Sequence, residues 1–190
     1  VTATFFAGKG IEGARLDAEL LLAEILGLTR TQLYTNFERP LTREEIDRFR
    51  ELVRRRAARE PVAYITGRRE FWSIDFVVDR RVLVPRPETE LLVEIAVDLL
   101  RPRRQPVLPE EDGEAGEGVA SASPVVESVT APSSSEDKSA PRVADIGTGS
   151  GAIAVALAVE LPTASIVATD KSASALELAP ANAARAGVDA

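Results

Sequence analysis

The strongest constraint on the fold is a glycine-rich run between a strand pattern and a helix pattern. Residues 145–151 read Asp-Ile-Gly-Thr-Gly-Ser-Gly, and an apolar helical segment begins after them at about Ala152. Glycine at alternate positions lets the backbone turn tightly and approach a ligand, while the helix directs its free N–H groups towards that ligand. A second apolar strand pattern follows at residues 166–168. This order of strand, turn, helix and strand predicts the opening of a parallel α/β sheet.

Two acidic residues narrow the choice of cofactor for this turn. Gly147, Gly149 and Ala152 satisfy the G-x-G-x-x-A form of the dinucleotide-binding pattern. Asp145, at the turn end of the first strand, would repel the pyrophosphate of NAD but attract the methionyl ammonium of S-adenosylmethionine. Asp170, which ends the second strand, is placed to accept hydrogen bonds from both ribose hydroxyls. The two acids favour S-adenosylmethionine, with NAD as the alternative.

Each of these residues also has a purely structural interpretation. The glycines alone could form a strand-to-helix turn that binds nothing. Asp145 could cap the following helix, and Asp170 together with Ser172 could begin the last one. The joint placement of an acid, three glycines and a second acid at the ends of adjacent strands favours a binding site.

Residues 1–62 have the pattern of a small helical domain. A first helix with leucine and isoleucine at helical spacing ends at a glycine. Two capping boxes follow, Thr29 with Gln32 and Thr42 with Glu45, and each predicts the start of a further helix. The third helix has an apolar inner face formed by Ile46, Phe49, Leu52, Val53 and Ala57.

The outer face of that third helix is rich in arginine, with acidic residues interspersed. The arginines are Arg48, Arg54, Arg55, Arg56 and Arg59. Such a mixed face is most often a solvated surface, and contact with an acidic protein or ribosomal RNA is the alternative. Because the chain has no strongly basic patch, we expect no direct nucleic-acid partner.

Residues 63–86 change to β-branched and aromatic types. This pattern predicts a β-hairpin that begins near Tyr64 and Ile65 and turns at Asp79 and Arg80. Its aromatic pair, Phe71 and Trp72, is interpreted as hairpin core rather than as a ligand-stacking surface, because aromatic side chains bury a large area.

A helix and a linker separate the hairpin from the glycine-rich turn. Proline residues bracket Arg86, and the apolar spacing that follows predicts a connecting helix over residues 87–100. The apolar residues are Leu91, Leu92, Ile95, Leu99 and Leu100. Residues 101–141 are rich in Pro, Gly, Ser and acids and contain no aromatic residue, which predicts a disordered linker. Eight acids of this segment account for the acidity of the chain, since without them the formal net charge changes from -7 to about +1.

The composition excludes several kinds of chemistry. The chain has no Cys and no His, which excludes disulfides, zinc fingers, Cys nucleophiles and Ser-His-Asp triads. It has no secretory signal pattern and no apolar run near the roughly 20 residues of a membrane-spanning helix, so we expect a soluble, cytoplasmic protein without a membrane partner. It also lacks Met and stops after two strands, so we expect a longer parent protein with further strands after Ala190.

Three sequence segments carry a resemblance to a known family. They are Gly-Arg-Arg-Glu-Phe-Trp-Ser at residues 67–73, Leu-Val-Pro-Arg-Pro-Glu-Thr-Glu at residues 83–90, and the glycine-rich run. In this order they resemble the PrmC/HemK family of release factor glutamine methyltransferases. The resemblance covers nearly the whole chain except the linker, and the second segment is far more specific than the glycines.

The resemblance implies an α/β protein in two parts. Residues 1–62 would be a helical substrate-recognition domain, and residues 142–190 the first half of a Rossmann-like class I methyltransferase domain. The implied reaction transfers a methyl group from S-adenosylmethionine to the glutamine side-chain nitrogen in the Gly-Gly-Gln motif of class I peptide chain release factors, which act in translation termination. The implied cofactor contacts are Gly147, Thr148, Gly149, Ser150, Gly151 and Asp170, with no metal.

The family orients the poorly nucleophilic amide with an Asn-Pro-Pro-Tyr motif, which this sequence does not contain. We therefore expect no catalytic residue in the chain and no activity of the chain by itself. The linker is longer than the family pattern, and Pro180 predicts a kink or break of the last helix near Ala179. The alternatives are a class I methyltransferase that acts on nucleic-acid amines and a non-catalytic module that binds release factors.

Overall fold

The computed structural model describes residues 1–101 and 140–188, and nearly all of the predicted linker lies outside these ranges. The helices are α1 (Thr2–Gly8), α2 (Ala14–Leu26), α3 (Arg30–Thr35), α4 (Arg43–Ala57), α5 (Val62–Thr66), α6 (Glu90–Leu100), α7 (Ala152–Glu160) and α8 (Ala173–Arg185). The strands are β1 (Arg68–Phe71), β2 (Ile74–Val77), β3 (Arg142–Ile146) and β4 (Ser165–Thr169). A 3-10 turn, Pro87–Thr89, leads into α6.

Both predicted capping boxes are confirmed. The backbone N–H of Gln32 donates to Thr29 Oγ1 at 3.2 Å, and the N–H of Thr29 donates to Gln32 Oε1 at 2.8 Å. The second box has the same distances between Thr42 and Glu45. In each box the cap residue has an extended backbone, so the helix begins one residue later, at the start of α3 and of α4.

The helical module packs around a small core of its own. Its buried side chains come from four different segments of the chain, and they are Phe6, Ile11, Leu21 and Ile65. Against them lie Phe49, Leu52, Val53 and Ala57, four of the five residues predicted for the inner face of α4. The helix α1, which the sequence pattern did not predict, contributes Phe6 to this core. The ion pair of Arg56 with the nearly buried Asp17, at 2.7 Å, ties α4 to α2.

The predicted start and turn of the hairpin were wrong. Tyr64 and Ile65 lie in α5 and not in a strand, because Ile65 is buried in the core of the helical module and this burial overrides its β propensity. The strands β1 and β2 pair antiparallel and turn at Trp72 and Ser73. A turn does begin at Asp79, but it lies after β2.

The hairpin turn uses two residues with left-handed backbone conformations. Trp72 has φ 54° and Ser73 has φ 57°, the arrangement of a two-residue hairpin that usually requires Asn or Gly. Contacts of Trp72 hold this conformation: its backbone N–H donates to Glu90 at 3.0 Å, and its indole N–H donates to Glu160 at 2.9 Å. The turn is therefore fixed to the beginning of α6 and to the end of α7.

The helix α6 buries a face other than its leucine-rich one. Val93 and Val97 are buried in the main core. Four of the five residues whose spacing predicted the helix are between 51% and 76% exposed: Leu91, Leu92, Ile95 and Leu99. The existence of the helix is confirmed, but the described part of the chain leaves its leucine-rich face uncovered.

The predicted strand, turn, helix and strand unit is confirmed. β3 and β4 are parallel, with Asp145 opposite Ala168 in the register. The helix α7 packs between this pair and α6, and a single core joins the unit to the hairpin through Phe71, Phe76, Val93, Val155, Leu157 and Leu178. Ile146 is exposed, because it lies with Arg142 and Ala144 on the face of β3 that no described element covers.

The predicted break of the last helix is also wrong. The helix α8 runs through Pro180 without interruption. Pro180 itself is exposed, while Leu178, Ala179, Asn182 and Ala183 are buried. This packing of the inner face offsets the loss of one backbone hydrogen bond. Within residues 1–101 and 140–188, no helix combines the length and the apolarity needed to cross a membrane.

Candidate cofactor-binding site

The candidate site lies at the carboxyl edge of the parallel strand pair. β3 brings Asp145 to this edge, β4 brings Asp170, and the glycine-rich loop passes between them into α7. In open α/β sheets, ligands bind outside the carboxyl ends of the strands, next to the amino end of the following helix. The site residues predicted from the sequence are thus brought together at one place.

Hydrogen bonds to the end of β4 fix the course of the loop. The carbonyl oxygen of Thr169 accepts from the N–H of Gly147 at 2.7 Å and from the N–H of Thr148 at 2.9 Å. The next N–H, of Gly149, donates to Asp170 Oδ2 at 2.9 Å. Three consecutive amides of the loop are therefore held by two residues of the neighbouring strand end.

All three loop glycines have positive φ angles, but their surroundings differ. The φ values are 85°, 57° and 82° for Gly147, Gly149 and Gly151. A Cβ placed on Gly147 or Gly149 would have no atom of the described residues within 4 Å, apart from those of its neighbours in the chain. A Cβ on Gly151 would lie only 3.2 Å from the Cβ of Ala179 in α8. The first two glycines therefore leave space beside the backbone for a ligand, and the third allows α8 to pack closely.

Asp145 is almost buried, with 9% exposure. Its Oδ2 accepts a hydrogen bond from Thr148 Oγ1 at 2.7 Å. This contact holds the carboxyl group across the base of the loop. It does not cap α7, the structural alternative considered for this residue, since the hydrogen bond goes to the loop hydroxyl.

Asp170 combines a structural contact with an accessible position. Its Oδ1 accepts from the N–H of Ser172 at 2.9 Å, and Oδ2 holds Gly149 as described. These two backbone hydrogen bonds, from Ser172 first and Gly149 second, lower the pKa of Asp170 below its ordinary value. Each oxygen keeps a further lone pair for a ligand hydroxyl. The alternative considered for Asp170, that it begins the last helix together with Ser172, is also observed. Asp170 holds the N–H of Ser172, and the side chain of Ser172 caps α8.

Two polar side chains of the loop are shielded from solvent. Thr148 and Ser150 are both buried, and Thr148 uses its hydroxyl for Asp145. Their contribution to a ligand would come from the backbone. Two residues that contact the loop were not predicted from the sequence. Thr169 acts through its carbonyl, which has no sequence signature, and Asn182 donates from its side chain to the carbonyl oxygen of Ser150 at 2.8 Å. A buried amide on the inner face of an alanine-rich helix is the signal that points to Asn182.

The residues present fit an S-adenosyl nucleoside better than they fit a metal ion. Two glycines leave open space, a nearly buried carboxyl group lies on one side, and a second acid lies at the neighbouring strand end. No group of acidic side chains in residues 1–101 and 140–188 converges in a way that could hold a metal. This strand, glycine-rich turn, helix and strand, with an acid at each strand end, is the arrangement of a Rossmann-like domain of the methyltransferase class.

Comparison with known proteins agrees with this class. Residues 2–67 match the family model described as the PrmC N-terminal domain, and residues 130–190 match the methyltransferase small domain. Proteins named release factor glutamine methyltransferase are similar over most of the chain. The relative from Chlorobaculum tepidum is 43% identical over 98% of this chain and 53% of its own length. The relative from Rhodopirellula baltica is 44% identical over 95% of this chain and 51% of its own length.

The chain thus has a PrmC N-terminal domain followed by a methyltransferase small domain. It spans about half the length of the curated relatives that it matches.

Proposed function

We propose that this chain supplies the cofactor-binding part of an enzyme that methylates class I peptide chain release factors. The methyl acceptor is the glutamine side-chain amide of the Gly-Gly-Gln motif, the methyl donor is S-adenosylmethionine, and the reaction takes place in the cytoplasm. The observation that carries the proposal is the pair of acids, Asp145 and Asp170, on either side of an open glycine loop. The names of the relatives support the substrate.

Each part of the site has a distinct task in this proposal. Asp145 attracts the ammonium group of the methionyl part, since a nearly buried acid interacts with a cation more strongly than an exposed one. Asp170 accepts hydrogen bonds from the ribose hydroxyls, and its lowered pKa keeps it ionised for that purpose. Gly147 and Gly149 leave the backbone accessible, so that the nucleoside lies against the loop.

S-adenosylmethionine, when bound, supplies a methyl group that is activated by a positively charged sulfur. The accepting amide nitrogen is a weak nucleophile because its lone pair is delocalised, so its position relative to the donor decides the rate. The residues described here hold the donor side of this arrangement. The acceptor side is assigned to the Asn-Pro-Pro-Tyr motif of the family, which is absent from the 190 residues.

Isothermal titration of the chain with S-adenosylmethionine and with NAD tests the cofactor. We expect binding of the former only, and about tenfold or greater weakening in Asp145→Ala, as a charge-assisted contact is lost. Asp170→Ala is expected to weaken binding at least as much, because it also releases Gly149. Asp98→Ala, an exposed acid on α6, is the matched control. Binding of NAD alone, or full affinity in both site variants, would contradict the proposal.

The substrate class is tested separately by retention of a class I release factor on the immobilised chain. We expect the release factor to be retained and an unrelated acidic protein to pass through. If the release factor also passes through while S-adenosylmethionine binds, the methyl-donor site stands and the assignment of substrate recognition to this chain fails.

A further inference from the structure

The helix α8 lies between the hairpin and the glycine-rich loop, and one buried side chain bonds to both. Asn182 is 2% exposed. Its Oδ1 accepts from the N–H of Val77 at 2.8 Å, and its Nδ2 donates to the carbonyl oxygen of Val77 at 3.0 Å. The same Nδ2 donates to the carbonyl oxygen of Ser150 at 2.8 Å. All three partners are backbone groups, and they come from two segments far apart in the sequence.

The side chain of Asn182 takes the place of a neighbouring strand for β2. Val77 directs both its N–H and its carbonyl group to the amide, as it would to the backbone of a third strand. The remaining N–H of the amide is used by the loop. A buried amide with both donors and its acceptor engaged has little freedom, since any movement of the hairpin or the loop breaks a hydrogen bond in a dry environment.

A second contact ties α8 to the same loop. Gly151 packs so closely on Ala179, one helical turn before Asn182, that a side chain there would meet it at 3.2 Å. On the hairpin side, two exposed pairs join α8 to the segment around β2: Arg81 with Glu177 at 3.4 Å and Arg185 with Asp75 at 3.9 Å. Of these connections, Asn182 is the one that touches both the loop and the hairpin.

We propose that Asn182 is a positioning residue that couples the hairpin to the cofactor loop, so that binding of the methyl donor and placement of the hairpin stabilise each other. The proposal rests on the proposed function for the identity of the ligand. A ligand that orders the loop holds the carbonyl of Ser150, and Asn182 transmits this restraint to Val77. Coupling of this kind is reciprocal, so a hairpin held in place by a protein substrate strengthens binding of the methyl donor equally.

The substitution Asn182→Asp tests the coupling with almost no change in volume. Aspartate keeps an acceptor for the N–H of Val77 but places an oxygen against the carbonyls of Val77 and Ser150, where the amide donated. We expect S-adenosylmethionine to bind at least about tenfold more weakly by titration calorimetry. The matched control is Glu177→Gln, which weakens the exposed contact of α8 with Arg81, in the segment after β2, and is expected to retain the affinity within about twofold.

Hydrogen exchange of the unsubstituted chain gives a second readout that does not depend on how the variant folds. Saturation with S-adenosylmethionine is expected to slow exchange of the Val77 amide at least threefold. The Ala58 amide, at the end of α4, serves as reference and is expected to exchange at the same rate with and without ligand.

The outcomes separate the two proposals. If the unsubstituted chain does not bind S-adenosylmethionine, the proposed cofactor fails and this inference fails with it. If the chain binds, but Asn182→Asp binds equally well or the Val77 amide exchanges at an unchanged rate, the coupling alone is contradicted. Weaker binding in Asn182→Asp, normal binding in Glu177→Gln and slower exchange at Val77 support it.

Discussion

At the scale of single residues, Gly149 and Gly151 share a positive φ and a place in one motif, yet they have different neighbours. Gly149 borders open space, while Gly151 borders the backbone and Cβ of Ala179. A methyl group at Gly149 therefore projects towards the ligand side, and a methyl group at Gly151 projects into the packing of α7 on α8. Replacement by alanine at Gly149 therefore tests ligand binding, and the same replacement at Gly151 tests the stability of the fold.

We expect Gly151→Ala to lower the free energy of unfolding by about 2 kcal/mol or more, because backbone strain adds to the close contact with Ala179. Gly149→Ala is expected to cost about 1 kcal/mol, from backbone strain alone, and to lose most of the affinity for S-adenosylmethionine. Urea unfolding measures the first effect and calorimetric titration the second. A larger loss of stability in Gly149→Ala than in Gly151→Ala would contradict this assignment.

The sequence predicted the acids of the site but not the groups that hold the loop. Asp145 and Asp170 are predictable because a carboxyl group at the end of a strand is visible as a residue type. Thr169 acts through its backbone carbonyl, which every residue possesses, so only the three-dimensional structure identifies it. Asn182 acts across 32 and 105 residues of sequence, and no local pattern encodes such a pairing.

At the scale of the elements, the capping boxes give the clearest prediction of stability. Thr42 satisfies one backbone N–H at the start of α4, the helix that packs Phe49, Leu52 and Val53 on the core of the helical module. Thr42→Ala is expected to lower the free energy of unfolding by about 1 kcal/mol. Arg43→Ala, one residue away in an exposed ion pair, is expected to cost less than about 0.5 kcal/mol. Equal losses in urea unfolding would show that the cap contributes no more than the surface pair.

The contact between Arg55, near the end of α4, and Glu60 makes the stability of the fold depend on pH. A bidentate contact from Arg55, with N to O distances of 2.7 and 2.9 Å, and a weaker one from Arg80 at 3.2 Å together lower the pKa of Glu60 from 4.5 to about 2. Because the folded pKa is the lower one, the stabilisation is complete above pH 4.5 and is lost as the pH falls towards 2. Glu60→Gln should therefore melt below the unsubstituted chain at pH 7, and the difference in Tm should shrink between pH 4.5 and 2. A difference that stays constant over this range would refute the link to Glu60.

Local sequence patterns predicted the first residue of a helix better than they predicted the residues against which the helix packs. Caps and strand-to-helix turns depend on a few neighbouring residues, so α3, α4 and α7 begin where expected. Ile65 has strand propensity but is buried as a helical residue, because the core formed with Phe6 from α1 decides its environment. Likewise, the apolar spacing of α6 identified a helix without revealing which of its sides faces the core.

At the scale of the whole molecule, the hairpin packs in the core of the α/β unit and not in the separate core of the helical module. The sequence pattern predicts the helical module, hairpin and α/β unit as consecutive segments, and this division stays a prediction. Phe71 and Phe76 of the hairpin pack in the same cluster as Val155 and Leu178. These contacts join residues that lie before and after residues 102–139 in the sequence. They could not be predicted, because packing between side chains far apart in the sequence depends on the completed fold.

The uncovered leucine-rich face of α6 leads to a prediction for the chain in solution. Leu91, Ile95 and Leu99 follow one another at intervals of four residues, and each is more than half exposed in the described structure. An exposed apolar helix face, such as this leucine-rich ridge of α6, promotes association of the chain with other molecules when nothing covers it. We expect the 190-residue chain to self-associate with rising concentration, as measured by sedimentation velocity.

The double substitution Ile95→Glu with Leu99→Glu is expected to suppress this association. It should change the free energy of unfolding by less than about 0.5 kcal/mol, since both side chains already contact solvent. Val97→Glu on the same helix is the matched control: Val97 is 4% exposed, so an unpaired charge there is expected to unfold the chain. A chain that stays monomeric at all concentrations, or a double variant that unfolds like Val97→Glu, would mean that the ridge is covered in solution.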